Sequence, residues 1–473
     1  MGVPAVKHAS VPGQLLMVGF GSIGQAVLPL LLRHLVLRPD QISIITAGDT
    51  GRDIAREFGI EWQLQPITEA NYFAVLAPRL RAGDVLLNLS VDVSSVALMA
   101  LCRQRGALYL DTCIEPWAGA YTDPKRSLSQ RSNYALREEA LALRQGQPDQ
   151  PTAILTQGAN PGLISSFLKQ ALLQLAQDNG RLTPVPLRPH GWAWLAQDLG
   201  VRVIHIAERD SQIADQPKGR DEFVNTWSVA GFIAEGLQPA ELGWGSHERH
   251  WPADAHRHGY GCDAAIYLAR PGLATRVRSW TPLEGAYQGF LVTHGESISM
   301  ADHLSLHEQE RLLYRPTVHY VYQPCDDALL SIHELAGKNW HPQSGQRILR
   351  DGIVQGTDEL GVLLMGHARG VYWFGSRLSN RQARELAPFN NATSLQVAAG
   401  VLAGMVWALQ HPRAGVLEPE DLNHEVVLAV AQPYLGELLG VYGDWTPLAN
   451  RRSLFNEALD LSDPWQFNNM RVP

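Results

Sequence analysis

Cysteine is scarce. Cys102, Cys113, Cys262 and Cys325 are the only four in 473 residues, and no two stand in a C-x-x-C spacing. That excludes a disulfide framework and a zinc ribbon, and suits a chain kept reduced in the cytoplasm. No metal is expected. The pairs His247/His250 and His256/His258 read as exposed loop histidines. An excess of positive charge is also lacking. Lys and Arg number 39 against 47 Asp and Glu, a net charge of -8. That argues against a nucleic-acid surface and mildly favours a cationic ligand. Long apolar runs are missing too. Gln14 to Leu32 carries no charge, but three glycines and Pro29 mark it as strand, turn and helix, not a membrane span. There is no internal repeat, low-complexity tract or visible targeting segment. The length implies two or three domains.

What is present begins with LLMVGFGSIG, Leu15 to Gly24. Gly19, Gly21 and Gly24 have the G-x-G-x-x-G spacing between a strand-like run and a helix-like run, Ser22 to Val36. Gly19 allows the tight turn, Gly21 lets a pyrophosphate approach the backbone, and Gly24 lets the helix pack on the strand. The amides at the helix start, Ser22 and Ile23 among them, would hold the phosphates. A dinucleotide site is expected.

Strand-like runs at Leu15–Gly19, Ile42–Thr46, Val85–Leu89, Leu108–Asp111 and Ala153–Thr156 alternate with helix-like runs. This predicts an α/β fold, a Rossmann-type doubly wound parallel sheet over residues 1–150. Pro29 predicts a kink in the first helix. After a polar link at Arg144–Thr152, Asn160 and Pro161 read as the cap and first position of a helix. Residues 151–386 read as an inserted α/β catalytic domain whose strands suit an antiparallel sheet. The buried helix Asn391–Leu409 predicts that residues 387–473 return to the first domain.

Ligands of such sheets sit beyond the carboxyl ends of the strands. Ser90, Asp92, Asp111, Thr112 and Glu115 are site candidates by that rule, with helix capping and loop solvation as alternatives for Asp92 and Asp111. Where an acid usually holds the adenosine ribose, the chain has Thr46, with Asp49 three residues on. Arg52 leaves a 2′-phosphate possible in principle. Asp49 would repel it, which favours NAD over NADP. The middle third holds islands of acids and aromatics: Glu208 and Asp210; Trp227, Glu235, Glu241 and Trp244; His294 and Glu296; Asp326 and Asp327; Asp358 and Glu359. Glu235 and Glu296 lie among small or apolar residues, where an unpaired carboxylate is costly to bury and a substrate ammonium would relieve the cost. Trp227 is either core or one wall of a cation site.

The motifs GFGSIG, NLSVD, YLDTCIEPW, RSNYALRE, GANPG, HIAERD, VNTWSV, AEGLQPAELGWG, RVRSWTP, FLVTHGESIS, DELGVLL, GMVWA and SDPWQF resemble bacterial homospermidine synthases in order, from about Leu15 to Phe467. Saccharopine dehydrogenase-like proteins are the broader relatives. The resemblance implies an NAD-dependent transferase, homodimeric and cytoplasmic, that joins two putrescines into homospermidine and releases ammonia. It can instead take the aminobutyl group from spermidine, releasing 1,3-diaminopropane. NAD is reduced and reoxidised within one cycle. It further implies Trp227 as the aromatic wall and Glu235 near the entrance or the reacting centre. Glu208, Asn160 and Asp358 would hold the inner amine, with Asn160 also beside the cofactor. Glu115, His294 and Glu296 would complete the lining, with His294 either shuttling protons or packing. Two other readings remain. One is a saccharopine- or carboxyspermidine-type dehydrogenase with net redox, for which Arg209, Arg276 and Arg278 are possible carboxylate clamps. The other is a non-catalytic NAD-binding sensor.

Overall fold

The computed structural model describes residues 5–144, 149–181, 184–451 and 457–473; residues 145–148 of the expected link lie outside them. Strands β1 (Leu15–Val18), β2 (Ile42–Thr46), β3 (Glu61–Leu64), β4 (Val85–Asn88), β5 (Leu108–Asp111) and β6 (Ala153–Ile154) form the first sheet. Their order is β3-β2-β1-β4-β5-β6, with Val416–Leu417 beyond β6, and every pairing is parallel. β1 and β4 are buried at every position, as a parallel sheet covered on both faces requires. The chain reverses its direction of winding between β1 and β4, and in such sheets ligands bind beyond the carboxyl ends of the strands at that point.

Helix α1 (Ser22–His34) follows β1. Pro29, expected to kink it, lies within one unbroken helical span. Helix α2 (Asn133–Ala142) packs on both halves, against the helix Ser95–Arg105 of the first and the helix Gly295–His303 of the second. There Arg137 donates to Glu418 at 2.6 and 2.8 Å and to Asp302 at 2.8 Å, fastening the two halves of the molecule. Helix α3 spans Leu163–Asp178 with Gly162 as its cap residue. The helix therefore starts later than the Asn160–Pro161 reading. Gly162 has φ +128°, and a Cβ there would lie 2.2 Å from the carbonyl oxygen of Gly158. The GANPG turn folds back on itself before the helix begins, so Asn160 is free of capping duty.

The second sheet has ten strands. Its centre is β7 (Val203–Asp210), β8 (Thr317–Gln323), β9 (Thr357–Met365) and β10 (Val371–Ser379), in the order β8-β7-β9-β10. The antiparallel expectation holds for β7 with β9 and for β9 with β10, but β7 and β8 are parallel, so the sheet is mixed. Helices α4 (Val229–Leu237) and α5 (Gly295–His303) belong to this half. Helix α6 (Ala392–Gln410) packs on α1 and reaches β5 and β6. Among the described residues it is the helix long and apolar enough to cross a membrane, yet 89% of its apolar window is buried inside the protein. The segment after it divides. Val416–Leu417 joins the first sheet, whereas Glu437–Gly443 pairs with β10 at the edge of the second. The apolar strand ELLGVYG finds its hydrogen-bond partner there, a pairing that periodicity alone does not assign.

Candidate active site

The first wall of the site is the turn after β1. Gly19 has φ +88°, and a Cβ there would lie 2.7 Å from the backbone of Leu89 and Ser90. Only glycine fits that close approach of two loops. A Cβ on Gly21 would meet nothing within 4 Å, and no side chain caps α1 at this position. The first amides of a helix lack intrahelical partners. Ser22, Ile23 and Gly24 supply them here, beside a backbone without a side chain. These features fit the pyrophosphate of a dinucleotide. Thr46 ends β2 and is nearly buried, while exposed Asp49 and Arg52 stand 3.6 Å apart as an ion pair.

The second wall is one face of the second sheet. Side chains two apart on a strand share a face. Glu208 and Asp210 of β7 stand beside Tyr320 and Tyr322 of β8 and Asp358 of β9, with Tyr322 opposite Glu208 and Asp358 opposite Asp210. Asn160, released from capping, donates to Oε2 of Glu208 at 2.7 Å, and the Tyr320 phenol donates to the same oxygen. Burial pushes the Glu208 carboxyl up to about 7, against the lowering effect of those two donors. Asp210 accepts from Thr226 at 2.8 Å and Asp358 from Thr393, in the first turn of α6, at 2.6 Å. Burial raises both carboxyls, and the neighbouring acids Glu208 and Asp210 add to the rise of Asp358. Oδ1 of Asp358 is buried without a partner among the described residues, a costly condition that a cation would relieve. Trp227 lies just before Ser228, the cap of α4. It is half-buried, packs on Phe232 and donates its indole N–H to Tyr322 at 3.4 Å.

The third wall joins the two halves. His294, at the start of α5, donates from Nδ1 to Glu296 at 3.1 Å and from Nε2 to Glu235 of α4 at 3.2 Å. Burial alone would push the imidazole down, but the two carboxylates outweigh it and hold His294 up at about 10. It is therefore an imidazolium near neutral pH, not a group poised to shuttle protons there. Its ring stacks on Tyr320 at 4.3 Å. The second oxygen of Glu235 accepts from the Cys113 thiol at 3.2 Å, and Oε2 of Glu296 is buried without a partner among the described residues. Glu115 lies in the same loop as Cys113. Burial, then repulsion from Glu235, push its carboxyl up to about 8. The Cys113 thiol is raised by the same two causes.

Seven of the eight residues that the resemblance assigns to the substrate are thus tied into this region by direct bonds or by the repulsion of neighbouring carboxylates: Asn160, Glu208, Asp358, Glu235, His294, Glu296 and Glu115. Trp227 joins them through Tyr322. The candidates placed beyond the strand ends divide. Ser90 donates to Asn88 at 2.6 Å beside Gly19, and Asp92 is exposed with its amide 3.4 Å from Glu115. Thr112 is half-buried against Gly158. Asp111 is fully buried, with its carboxylate accepting from the Thr156 amide at 2.6 Å and the Tyr109 phenol at 2.7 Å. It locks β5 to the strand beside it. Other acidic islands stay outside. Glu359 faces away from the site and accepts from the Leu283 amide at 3.0 Å, and Asp327 accepts from the Lys218 amide at 3.0 Å. Glu241 clamps the start of α2 through the amides of Asn133 and Tyr134, and also accepts from Thr293, the neighbour of His294, at 2.6 Å. His258 is not an exposed loop residue. It is buried, stacked on Tyr134 and bonded to Ser129 at 2.9 Å.

Sequence reasoning missed Tyr320 and Tyr322. The signal was the alternation in VHYVYQ, which puts both phenols on the face that HIAERD gives to Glu208 and Asp210. Asp210 stands in an acidic island of the sequence, but nothing local sets it apart from the other acids.

Comparison with known proteins agrees with this geometry. Residues 15–154 match the family described as saccharopine dehydrogenase NADP binding domain, and residues 158–444 the saccharopine dehydrogenase C-terminal domain. The chain is 53% identical to a homospermidine synthase of Blastochloris viridis, over 98% of each chain. It is 48% identical to that of Mesorhizobium japonicum, over 98% of this chain and 97% of the relative. It also superposes on the crystal structure of homospermidine synthase from Legionella pneumophila in complex with NAD, with TM-score 0.92 and 50% identity over 98% of both chains. With two relatives at about half identity over nearly their whole length, the chain belongs to the homospermidine synthase family, built on the saccharopine dehydrogenase fold.

Proposed function

We propose that this chain joins two putrescines into sym-homospermidine and releases ammonia, with NAD retained through the cycle. Spermidine is a second donor, releasing 1,3-diaminopropane. The observation that carries this reading is the set of buried acids. Glu115, Glu208, Asp210, Glu235, Glu296 and Asp358 line one region, and Asp358 and Glu296 each have a buried oxygen without a partner among the described residues. A diamine carries two ammonium groups near neutral pH, and its burial against such carboxylates satisfies both sides.

NAD in the Gly19–Gly24 cradle would supply a hydride acceptor at the amine-bearing carbon and a hydride donor to the same carbon later. The exposed Asp49, beside Arg52, disfavours a 2′-phosphate and supports NAD. The rest falls to the chain's own residues. Glu208, Asn160 and Asp358 hold the distal ammonium. An ammonium cannot give up hydride, so the reacting amine must first lose a proton. Glu115, held near 8, is tuned to take that proton at Oε and later return it to the departing ammonia. The His294 imidazolium adds a positive charge that favours the neutral amine. Trp227 covers the cationic imine face-on. The second putrescine adds to the imine carbon, ammonia leaves, and the resulting Schiff base is reduced, so the net reaction transfers an aminobutyl group without net redox.

A dehydrogenase acting on carboxylate substrates would need Arg clamps in the site. Arg209 faces the other side of β7 and lies 3.6 Å from Glu284, Arg276 sits over Phe290, and Arg278 donates to the Arg471 carbonyl. That arrangement favours the synthase. Cytoplasmic residence and a homodimer belong to the same proposal, on the strength of the resemblance. The test is incubation of the protein with putrescine and NAD far below the amine concentration. Homospermidine and ammonia in large excess over NAD are expected. NADH accumulating one for one with the putrescine consumed would overturn the reading.

A further inference from the structure

Tyr320 spans the two halves of the site. Its phenol donates to Oε2 of Glu208, the oxygen that Asn160 also bonds at 2.7 Å. Both donors fall on Oε2, and among the described residues none bonds Oε1. The face of the same ring lies 4.3 Å from the His294 imidazole at an interplanar angle of 26°. Tyr322 is also stacked with Tyr320, at 5.4 Å and 13°, and its phenol receives the Trp227 indole N–H. A single side chain therefore fixes the carboxylate assigned to the distal ammonium and carries the imidazolium beside the reacting amine. Strand β8 fixes its position through seven registered pairs with β7, and Tyr320 is buried.

We propose that Tyr320 is a positioning residue for the diamine: its phenol turns Glu208 so that Oε1 is left for the ammonium, and its ring supports the His294 imidazolium. The proposal rests on the diamine reading above. Held this way, Glu208 cannot rotate to spread its charge over other donors, and the ammonium meets a preorganised acceptor. The groups facing Glu208 are Asp210 on its own strand, Asp358 from β9, Tyr322 from β8 and His294 from the start of α5. The Tyr287 phenol donates to its backbone carbonyl at 3.3 Å.

The test is Tyr320→Phe, which keeps the ring stack and removes the phenol. The KM for putrescine should rise about tenfold to a hundredfold, the range for a lost hydrogen bond to a charged group, with a smaller change in kcat. The acid limb of kcat/KM should move to higher pH, because Glu208 loses a donor that favours its ionised form. In a Glu208→Gln background the same substitution should add little, since the group it positions is gone. Wild-type KM and pH profile in Tyr320→Phe would overturn the proposal. So would a lowered Tm with unchanged KM per folded molecule, or additive effects in the double variant. If the wild-type protein makes no homospermidine, the functional reading falls first. Tyr320 is then judged by calorimetry: equal putrescine affinity of wild type and Tyr320→Phe would overturn its role.

Discussion

Putrescine binding should release protons, and the affinity should rise with pH. Glu115 is held up at about 8 by burial and by the neighbouring Glu235. A buried ammonium beside it is stabilised only if Glu115 is ionised. Below pH 8 the protein must therefore give up the Glu115 proton as the cation enters. For one group with a pKa of about 8, the release is about one proton at pH 6.5 and about a quarter at pH 8.5, and the affinity tightens about 25-fold between those values. Glu208, pushed up to about 7, adds in the same direction at the lower end. The amines themselves stay protonated across this range, near the value for a lysine. The assay is titration calorimetry of putrescine into protein carrying NADH, where oxidation cannot start, in two buffers of different ionisation heat. The slope of heat against buffer heat counts the protons. Glu115→Gln should remove most of the release and flatten the pH dependence. Binding without proton release, or an affinity flat from pH 6.5 to 8.5, would refute the assignment of Glu115 and Glu208 as cation-binding acids.

Trp227→Leu should lower turnover about fivefold to thirtyfold, the worth of a desolvated cation–π contact, while thermal stability changes little because the indole is half-buried. A severe drop in Tm with normal activity per folded molecule would make Trp227 a core residue. The two glycines of the cradle should separate cleanly. Gly19→Ala places a Cβ 2.7 Å from the Leu89 backbone at φ +88° and should compromise folding, whereas Gly21→Ala meets nothing within 4 Å. Gly21→Ala should keep its Tm by differential scanning calorimetry yet bind NAD about tenfold more weakly. Glu115, Glu208, Glu248 and Glu420 have carboxyls raised to about 8, 7, 7 and 7. A raised folded-state carboxyl contributes stability that is lost as pH rises through that value. The Tm of the amine-free protein should therefore fall from pH 6.5 to 8.5, and saturating putrescine should offset the fall. Below pH 6.5 the sign reverses for His247, His303, His319 and His424, held down at about 4, 3, 3 and 4 by burial. Their contribution is lost as pH drops and opposes the gain from the four carboxyls down to the ordinary glutamate value of 4.5, so the Tm should level off between pH 6.5 and 4.5 and fall below that. A Tm that is flat from pH 4 to 8.5 would contradict both statements.

The first sheet was legible because its strands are short apolar runs joined to helices, and the glycine spacing states its own backbone chemistry. The acids of the site were legible as islands out of place among apolar neighbours, Glu235 and Glu296 above all. Three things were hidden. The GANPG turn offers two good helix-start signals in Asn160 and Pro161, and the backbone contact between Gly158 and Gly162 delays the start beyond both. The parallel pairing of β7 with β8 joins strands more than a hundred residues apart, so no local pattern announces it. Without that pairing the phenols of Tyr320 and Tyr322 could not be placed beside Glu208. The charge of His294 was hidden for a related reason. Its unperturbed pKa suggests a proton shuttle, and only the bonds to Glu235 and Glu296 from two different helices turn it into a fixed cation.

Whether one hydride leaves the donor carbon and returns to it within a single cycle is tested most directly with putrescine fully deuterated at both amine-bearing carbons. The protein is given this substrate with catalytic NAD and a large excess of unlabelled NADH in solution, and the product is weighed by mass spectrometry. Retention in the site predicts homospermidine carrying all eight deuterons of its two parents. Exchange with the solution pool gives product lacking one deuteron, and that result would contradict the retention of one nicotinamide through both halves of the cycle.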